Sequence, residues 1–212
     1  MKSPYEKNVN IFVIIFILLS ILISSLALAE TVSPEEKVTT VFSKIESSLI
    51  PLKAANRLTK NNIREILNQY LLPEVNIQYF SNKALNKNLS KISDELKAEF
   101  VTELSIQLID TYSHLLSKYN NEAISVGTSS LSKSGKIAMV NITIVGKNKT
   151  NKAVLKLIKL HEETWLFYDI VVEGISLLDT KQKEINASFS RVGAENTLLH
   201  IKSINERSQT SS

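Results

Sequence analysis

Tyr168 and Asp169 are the residues whose types and placement come closest to catalytic chemistry. They interrupt an aromatic and β-branched run, Trp165 to Val172 (WLFYDIVV). A carboxylate set among apolar side chains can act as a general base, and a neighbouring phenol can donate a hydrogen bond. Curved sheets covered by helices host isomerases that use such a pair. The opposing reading is that Asp169 faces solvent or accepts hydrogen bonds at a sheet bend, since no third group joins the pair. The three histidines, His114, His161 and His200, stand apart from one another, with no HExxH or comparable ligand spacing. His114 falls in mid-helix and His200 in the final helix, both as structural or solvated residues. His161 ends a strand beside Glu162 and Glu163, where surface charge accounts for it. The chain has no cysteine, which excludes disulfides, thiol nucleophiles and thiolate metal sites. It has no glycine-rich phosphate loop and no nucleophile elbow. No catalytic residue, metal or cofactor is expected.

The elements that must position these residues divide into a helical half, a β-rich stretch and a helical end. Ser33-Pro34-Glu35-Glu36 is a helix start with Ser33 as cap, and Val38, Val41, Phe42, Ile45 and Leu49 follow on one face. A second helix is expected from about Asn61 to Leu71, stopped by Pro73, with short helical pieces over Val75 to Leu89. The longest helix runs from about Asp94 to Tyr119, with Phe100, Leu104, Leu108 and Tyr112 in its apolar stripe. From Ala123 the period changes to two: Ala138, Val140, Ile142 and Ile144 share one face of a strand ending at Val145. Strands Lys152 to His161 and Thr164 to Glu173 follow, joined through Glu162-Glu163. Helices of about Lys181 to Val192 and Glu195 to Ser203 close the chain, divided by Gly193. The expected fold class is α+β, a four-stranded antiparallel sheet covered by six to seven helices.

Residues 1–29 have the pattern of a cleavable signal peptide. Lys2 and Lys7 precede an apolar run from Val9 to Leu26, and Ala27-Leu28-Ala29 supplies the small-x-small cleavage pattern. An uncleaved anchor is the alternative, because the run approaches the roughly 20 residues that span a bilayer. No cysteine follows it, so lipid attachment there is excluded. Residues 30–206 are expected to form one domain, with a disordered polar tail at 207–212. The net charge of +4 is too mild, and the lysines too dispersed, to argue for nucleic acid. Asn141, Asn148 and Asn186 lie in sequons that matter only along a eukaryotic secretory route.

Two blocks then carry a family resemblance. The first is Trp165, Tyr168-Asp169, Glu173-Gly174, Ser176 and Thr180-Lys181-Gln182; the second is Tyr70-Leu71-Leu72-Pro73 with Val75 and Tyr79. In this order they resemble the MlaC family, also called the toluene-tolerance family, which carries phospholipids through the periplasm. The resemblance covers most of the chain after residue 34. It implies helices packed on a strongly curved, nuclear-transport-factor-like sheet, and phospholipid as cargo. It also implies partners: an outer-membrane lipoprotein–porin complex and an inner-membrane ABC transporter with an MCE-domain subunit. The chain departs from many members in having Lys181 or Lys183 where they have arginine. It has Leu89-Ser90-Lys91 where they have a tryptophan.

The apolar inventory fits a carrier. A diacyl lipid exposes about thirty methylenes, whose hydration costs on the order of 20 kcal/mol, so a shuttle must hide the tails. Val140, Ile142, Ile144, Leu155 and Leu157 are expected as walls of a lipid cavity. Phe100, Leu104, Leu108 and Tyr112 are expected as its roof and Tyr79 as its rim, although a filled core explains each of them individually. Lys91, Lys97, Lys149 and Lys152 are expected on docking surfaces, and Glu173 in docking or loop fixing. The rival functions are an isomerase using Asp169 and Tyr168, and a protein-interaction module without lipid.

Overall fold

A computed structural model describes residues 32–118, 122–147, 149–160 and 164–210. The expected signal peptide, Asn148, His161 and the Glu162-Glu163 turn lie outside them. Helix α1 (Pro34–Ala54) begins where Ser33 Oγ accepts the Glu36 N–H at 3.1 Å. Helix α2 (Lys60–Tyr70) is capped by Thr59, and a 3-10 turn, Leu72–Glu74, follows at Pro73. Helix α3 (Ile77–Leu85) and a second 3-10 segment, Asn86–Lys91, lead into the long α4 (Asp94–Leu116), capped by Ser93. The sheet comprises β1 (Ala123–Leu131), β2 (Ile137–Val145), β3 (Thr150–Lys159), β4 (Trp165–Val172) and β5 (Ile175–Ser176), paired antiparallel in sequence order. Helix α5 (Leu177–Thr210) completes the fold.

The class is α+β, but the sheet has five strands rather than four, and the described residues form five α-helices rather than six or seven. The fifth strand exists because Glu173 and Gly174 both take positive φ, 49° and 80°. That pair is the signature of a type I′ turn, whose twist matches a hairpin. It folds the chain back so that Val172 pairs with Ile175 and Val171 with Ser176. At the C-terminal end, Gly193 (φ 81°, ψ 179°) breaks the helical path at one residue and α5 resumes beyond it. Short 3-10 segments, favoured beside Pro73 and at Asn86 to Lys91, replace other expected helical pieces.

Two apolar clusters hold the elements together. One gathers α1, α2, Leu108 and Ile109 of α4, and the facing residues of β2, β3 and β4. The other gathers Phe80, Ala84 and Leu85 of α3, Phe100 and Leu104 of α4, and Leu178, Ile185, Leu198 and Ile201 of α5. Two bulges bend the sheet, one on β1 between Val126 and Ser129 and one on β4 opposite Lys156 and Leu157. Glu35 of α1 accepts the Ser129 N–H at 2.7 Å, so the first bulge is held by the helix start.

Helix α5 continues through Thr210, past Glu206 where polar composition alone ends the domain. The physical reason is an ionic clasp: Asp110 of α4 meets Lys60 at 3.0 Å, Arg64, and the Ser208 hydroxyl. Hydrogen bonds to charged groups are the stronger ones. Truncation after Glu206 should therefore lower the stability of the processed chain by about 1 kcal/mol. Urea titration checks this, and an unchanged midpoint would show that the clasp contributes nothing.

Candidate functional site

Asp169 sits at the β4 bulge, its side chain fully buried. The ladder pairs Lys156 with Asp169 and Leu157 with Phe167, which leaves Tyr168 as the extra residue. Asp169 Oδ1 accepts the Leu178 N–H at 3.0 Å, and Oδ2 accepts the Ser176 hydroxyl at 2.8 Å. Lys156 Nζ lies 2.9 Å from Oδ2. Ser176 Oγ in turn accepts the Asp179 N–H at 3.0 Å, and Thr180 Oγ1 donates to the Ser176 carbonyl at 2.8 Å. Both carboxylate oxygens are thus engaged in holding β3, β5 and the first turn of α5. The helix start at Leu177, ahead of the expected Lys181, follows from these caps. Asp169 accepts hydrogen bonds at a sheet bend, one of the two bland readings of the sequence; it does not face solvent.

Tyr168 packs edge-on against Tyr79, with ring centroids 5.1 Å apart. Burial, with smaller contributions from Tyr79 and Asp169, pushes the Tyr168 phenol up to about 12. Burial and Asp169 also push Tyr112 up. A phenol held this high keeps its proton at neutral pH. Among the described residues no group of three or more metal-ligating side chains gathers.

A small pocket lies on the seam between the two apolar clusters. Phe80 of α3, Leu104, Gln107, Leu108 and Thr111 of α4, and Leu177 and Lys181 of α5 line it. Its volume is about 10 Å³, room for about one water. Leu104 belongs to one cluster and Leu108 to the other.

The expected lipid-contacting residues divide around this seam. Val140, Ile142, Leu155 and Leu157 are buried with Leu108 in the sheet-side cluster, and Tyr112 and Ile144 pack against it. Phe100 and Leu104 lie in the helical cluster, and Tyr79 stands beside Tyr168 with Lys83 Nζ 5.4 Å from its ring centre. Sequence reasoning missed Phe80, Gln107, Thr111, Leu177 and Lys181 as pocket neighbours. The signal was present for two of them: Leu104, Gln107, Leu108 and Thr111 follow i, i+3, i+4, i+7 spacing, which puts polar groups into an apolar stripe.

The expected docking residues are spread over the surface. Lys91, Lys149 and Lys152 are exposed, while Lys97 is half-buried with its ammonium 2.8 Å from Asp94. That pairing holds the Asp94 carboxyl below its usual range. Glu173 accepts the Lys152 N–H at 3.2 Å, and its own N–H reaches the Lys152 carbonyl at 3.3 Å, a loop-fixing arrangement.

Helices over one antiparallel sheet, an apolar seam between two clusters, and a carboxylate spent on holding the fold define a class: α+β proteins organised around an apolar interior. The chain belongs to the MlaC family, whose model matches residues 36–203. It is 23% identical over 193 residues to the "Intermembrane phospholipid transport system binding protein MlaC" of Haemophilus influenzae, covering 90% of each chain. Its fold is similar to that of a phospholipid-binding protein from Ralstonia solanacearum solved in complex with a phospholipid. The TM-score is 0.72 at 17% identity, over 82% of this chain and 98% of that one.

Two outcomes follow from the Asp169 joint. Asp169→Ala leaves the Leu178 N–H and the Ser176 hydroxyl without their acceptor, and should destabilise the fold by about 3 kcal/mol. A loss below about 1 kcal/mol in urea unfolding would contradict the joint. The Tyr168 phenol is raised in the folded state to about 12, above its ordinary value of roughly 10. Its contribution is therefore intact below pH 10 and is lost as pH rises through 12. Tyr168→Phe should flatten the fall in stability over that window, and identical pH profiles for the two proteins would contradict it.

Proposed function

We propose that this chain is a periplasmic phospholipid carrier that moves lipid between the outer and inner membranes and so maintains outer-membrane lipid asymmetry. The observation that carries the reading is membership of the MlaC family, whose model matches residues 36–203, in a chain whose helices and sheet enclose two apolar clusters. The phospholipid complex of the Ralstonia solanacearum protein of similar fold supports it, as does the function in the name of the Haemophilus influenzae relative. In this reading residues 1–29 are a cleaved export signal and residues 30–206 form the lipid-binding domain, a nuclear-transport-factor-like sheet under helices. Partners are an outer-membrane lipoprotein–porin complex and an inner-membrane ABC transporter bearing an MCE-domain subunit. Lys91, Lys97, Lys149, Lys152 and Glu173 serve as docking positions. No bond is made or broken; the work is extraction, shielding and release.

In this reading the pocket of about 10 Å³ is the point at which the lipid site opens. Sites for ligands of drug size run to roughly 300–1,000 Å³. Lipid entry then requires α3 to part from α4 along the seam, α5 being held at its two ends by Asp169 and Asp110, and this exposes Phe100, Leu104 and Leu108 to the acyl chains. Sheet-side residues Val140, Ile142, Ile144, Leu155 and Leu157 become the wall as the tails enter, with Tyr112 in the roof and Tyr79 at the rim. Apolar surface uncovered as the helices part is covered again by methylenes, which makes opening and filling a single exchange.

Native mass spectrometry of the processed protein, followed by organic extraction, tests the proposal. A stoichiometric adduct of phospholipid mass is expected, and Leu108→Trp, which fills the seam, should lower occupancy several-fold while far-ultraviolet circular dichroism is retained. A protein that keeps its bare mass after incubation with phospholipid vesicles would contradict the carrier reading.

A further inference from the structure

Resting on the phospholipid reading above, we propose that Gln107 and Lys181 form the polar end of the lipid site and select headgroups that carry a hydrogen-bond donor. Gln107 Oε1 is buried without a hydrogen-bond partner and belongs to a residue on the pocket wall. The hydroxyl one turn further along α4, Thr111 Oγ1, is already committed, donating to the Gln107 carbonyl at 2.8 Å. An unanswered buried acceptor costs stability, and a site built around one discriminates strongly in favour of ligands that answer it. Ser81 Oγ and Asn151 Oδ1 are also buried without partners among the described residues, but neither residue lines the pocket.

Lys181 supplies the charge. It lines the same pocket, and its ammonium lies 2.5 Å from Glu184, whose side chain is 58% exposed. Ion pairs with an exposed partner are weak, so the ammonium can turn to a phosphate at small cost. Phe80, Leu104, Leu108 and Leu177 make the rest of the wall apolar, as the first methylenes of an acyl chain require. The phosphodiester then sits on Lys181, and the tails enter the seam. The headgroup donor, an ethanolamine ammonium or a glycerol hydroxyl, reaches Gln107 Oε1. Choline has no N–H or O–H to offer.

The test uses the processed wild-type protein and vesicles containing equal amounts of four phospholipids with identical acyl chains. Their headgroups are ethanolamine, N-methylethanolamine, N,N-dimethylethanolamine and choline. Lipid extracted from the re-isolated protein is quantified by mass spectrometry. The first three should load about equally and the choline lipid roughly ten- to a hundredfold less, the worth of one hydrogen bond to a charged group. Gln107→Leu should bring the choline lipid level with the others, and Lys181→Gln should lower all four alike. Equal loading of choline by the wild type, as when Gln107 holds only a water, would overturn the proposal, as would discrimination that survives Gln107→Leu. Wild type that takes up none of the four would overturn the carrier reading itself, an outcome distinct from lipid bound without discrimination.

Discussion

A carboxylate with no exposed surface must have its oxygens satisfied, and the architecture around Asp169 is arranged to satisfy them. Its three donors come from β3 (Lys156), β5 (Ser176) and the start of α5 (Leu178). Those donors can converge only if β4 bulges at Tyr168 and the chain reverses within two residues at Glu173-Gly174. The helix must then begin at once, at Leu177. Removing desolvated charge from its partners costs several kcal/mol, so the local geometry is set with little freedom. Position and direction of α5, and with it one wall of the seam, depend on this joint.

The same joint lies between a sheet tied by backbone hydrogen bonds and helices packed through side chains. Strands β2, β3 and β4 are tied by backbone ladders, broken only by the bulge at Tyr168, with buried side chains at Ala138, Val140, Leu155 and Leu157. The helical cluster has no such ladder; α3, α4 and α5 meet mainly through side chains such as Phe80, Phe100, Leu104 and Ile185. Apolar contact is non-directional, so one apolar surface can replace another at small net cost. The proposed carrier function would use this difference, with the sheet as the firm wall and the helices as the exchangeable one. The clasp of Asp110 with Lys60, Arg64 and Ser208 holds the far end of α5 while the near end is held by Asp169.

Much of the fold was legible in residue order. Ser33 and Pro34 marked α1, the stripe through Phe100, Leu104 and Leu108 marked α4, and alternation at Ala138 to Ile144 marked β2, because each rests on local periodicity or capping. Strand β5 was not legible, since two residues carry no period; only the backbone shows that Glu173 and Gly174 are a hairpin turn. The extension of α5 to Thr210 was hidden for a different reason: Ser208 is held by Asp110, ninety-eight residues away in sequence. Asp169 was singled out for its chemistry, yet its neighbours Lys156 and Leu178 are joined to it only by the bulge. Gln107 reads as a surface residue by type, and only its place in the stripe of Leu104 and Leu108 gives it away.

The most direct test of this division is hydrogen–deuterium exchange on the processed protein, with and without bound phospholipid. Amides of β2 to β4 and the Leu178 amide held by Asp169 should exchange slowly and equally in both states. Amides of α3, of α4 around Leu104 to Thr111, and of α5 from Gln182 to Val192 should gain protection when lipid is bound. Protection that changes in the sheet and at Leu178 while the three helices stay the same would contradict the account.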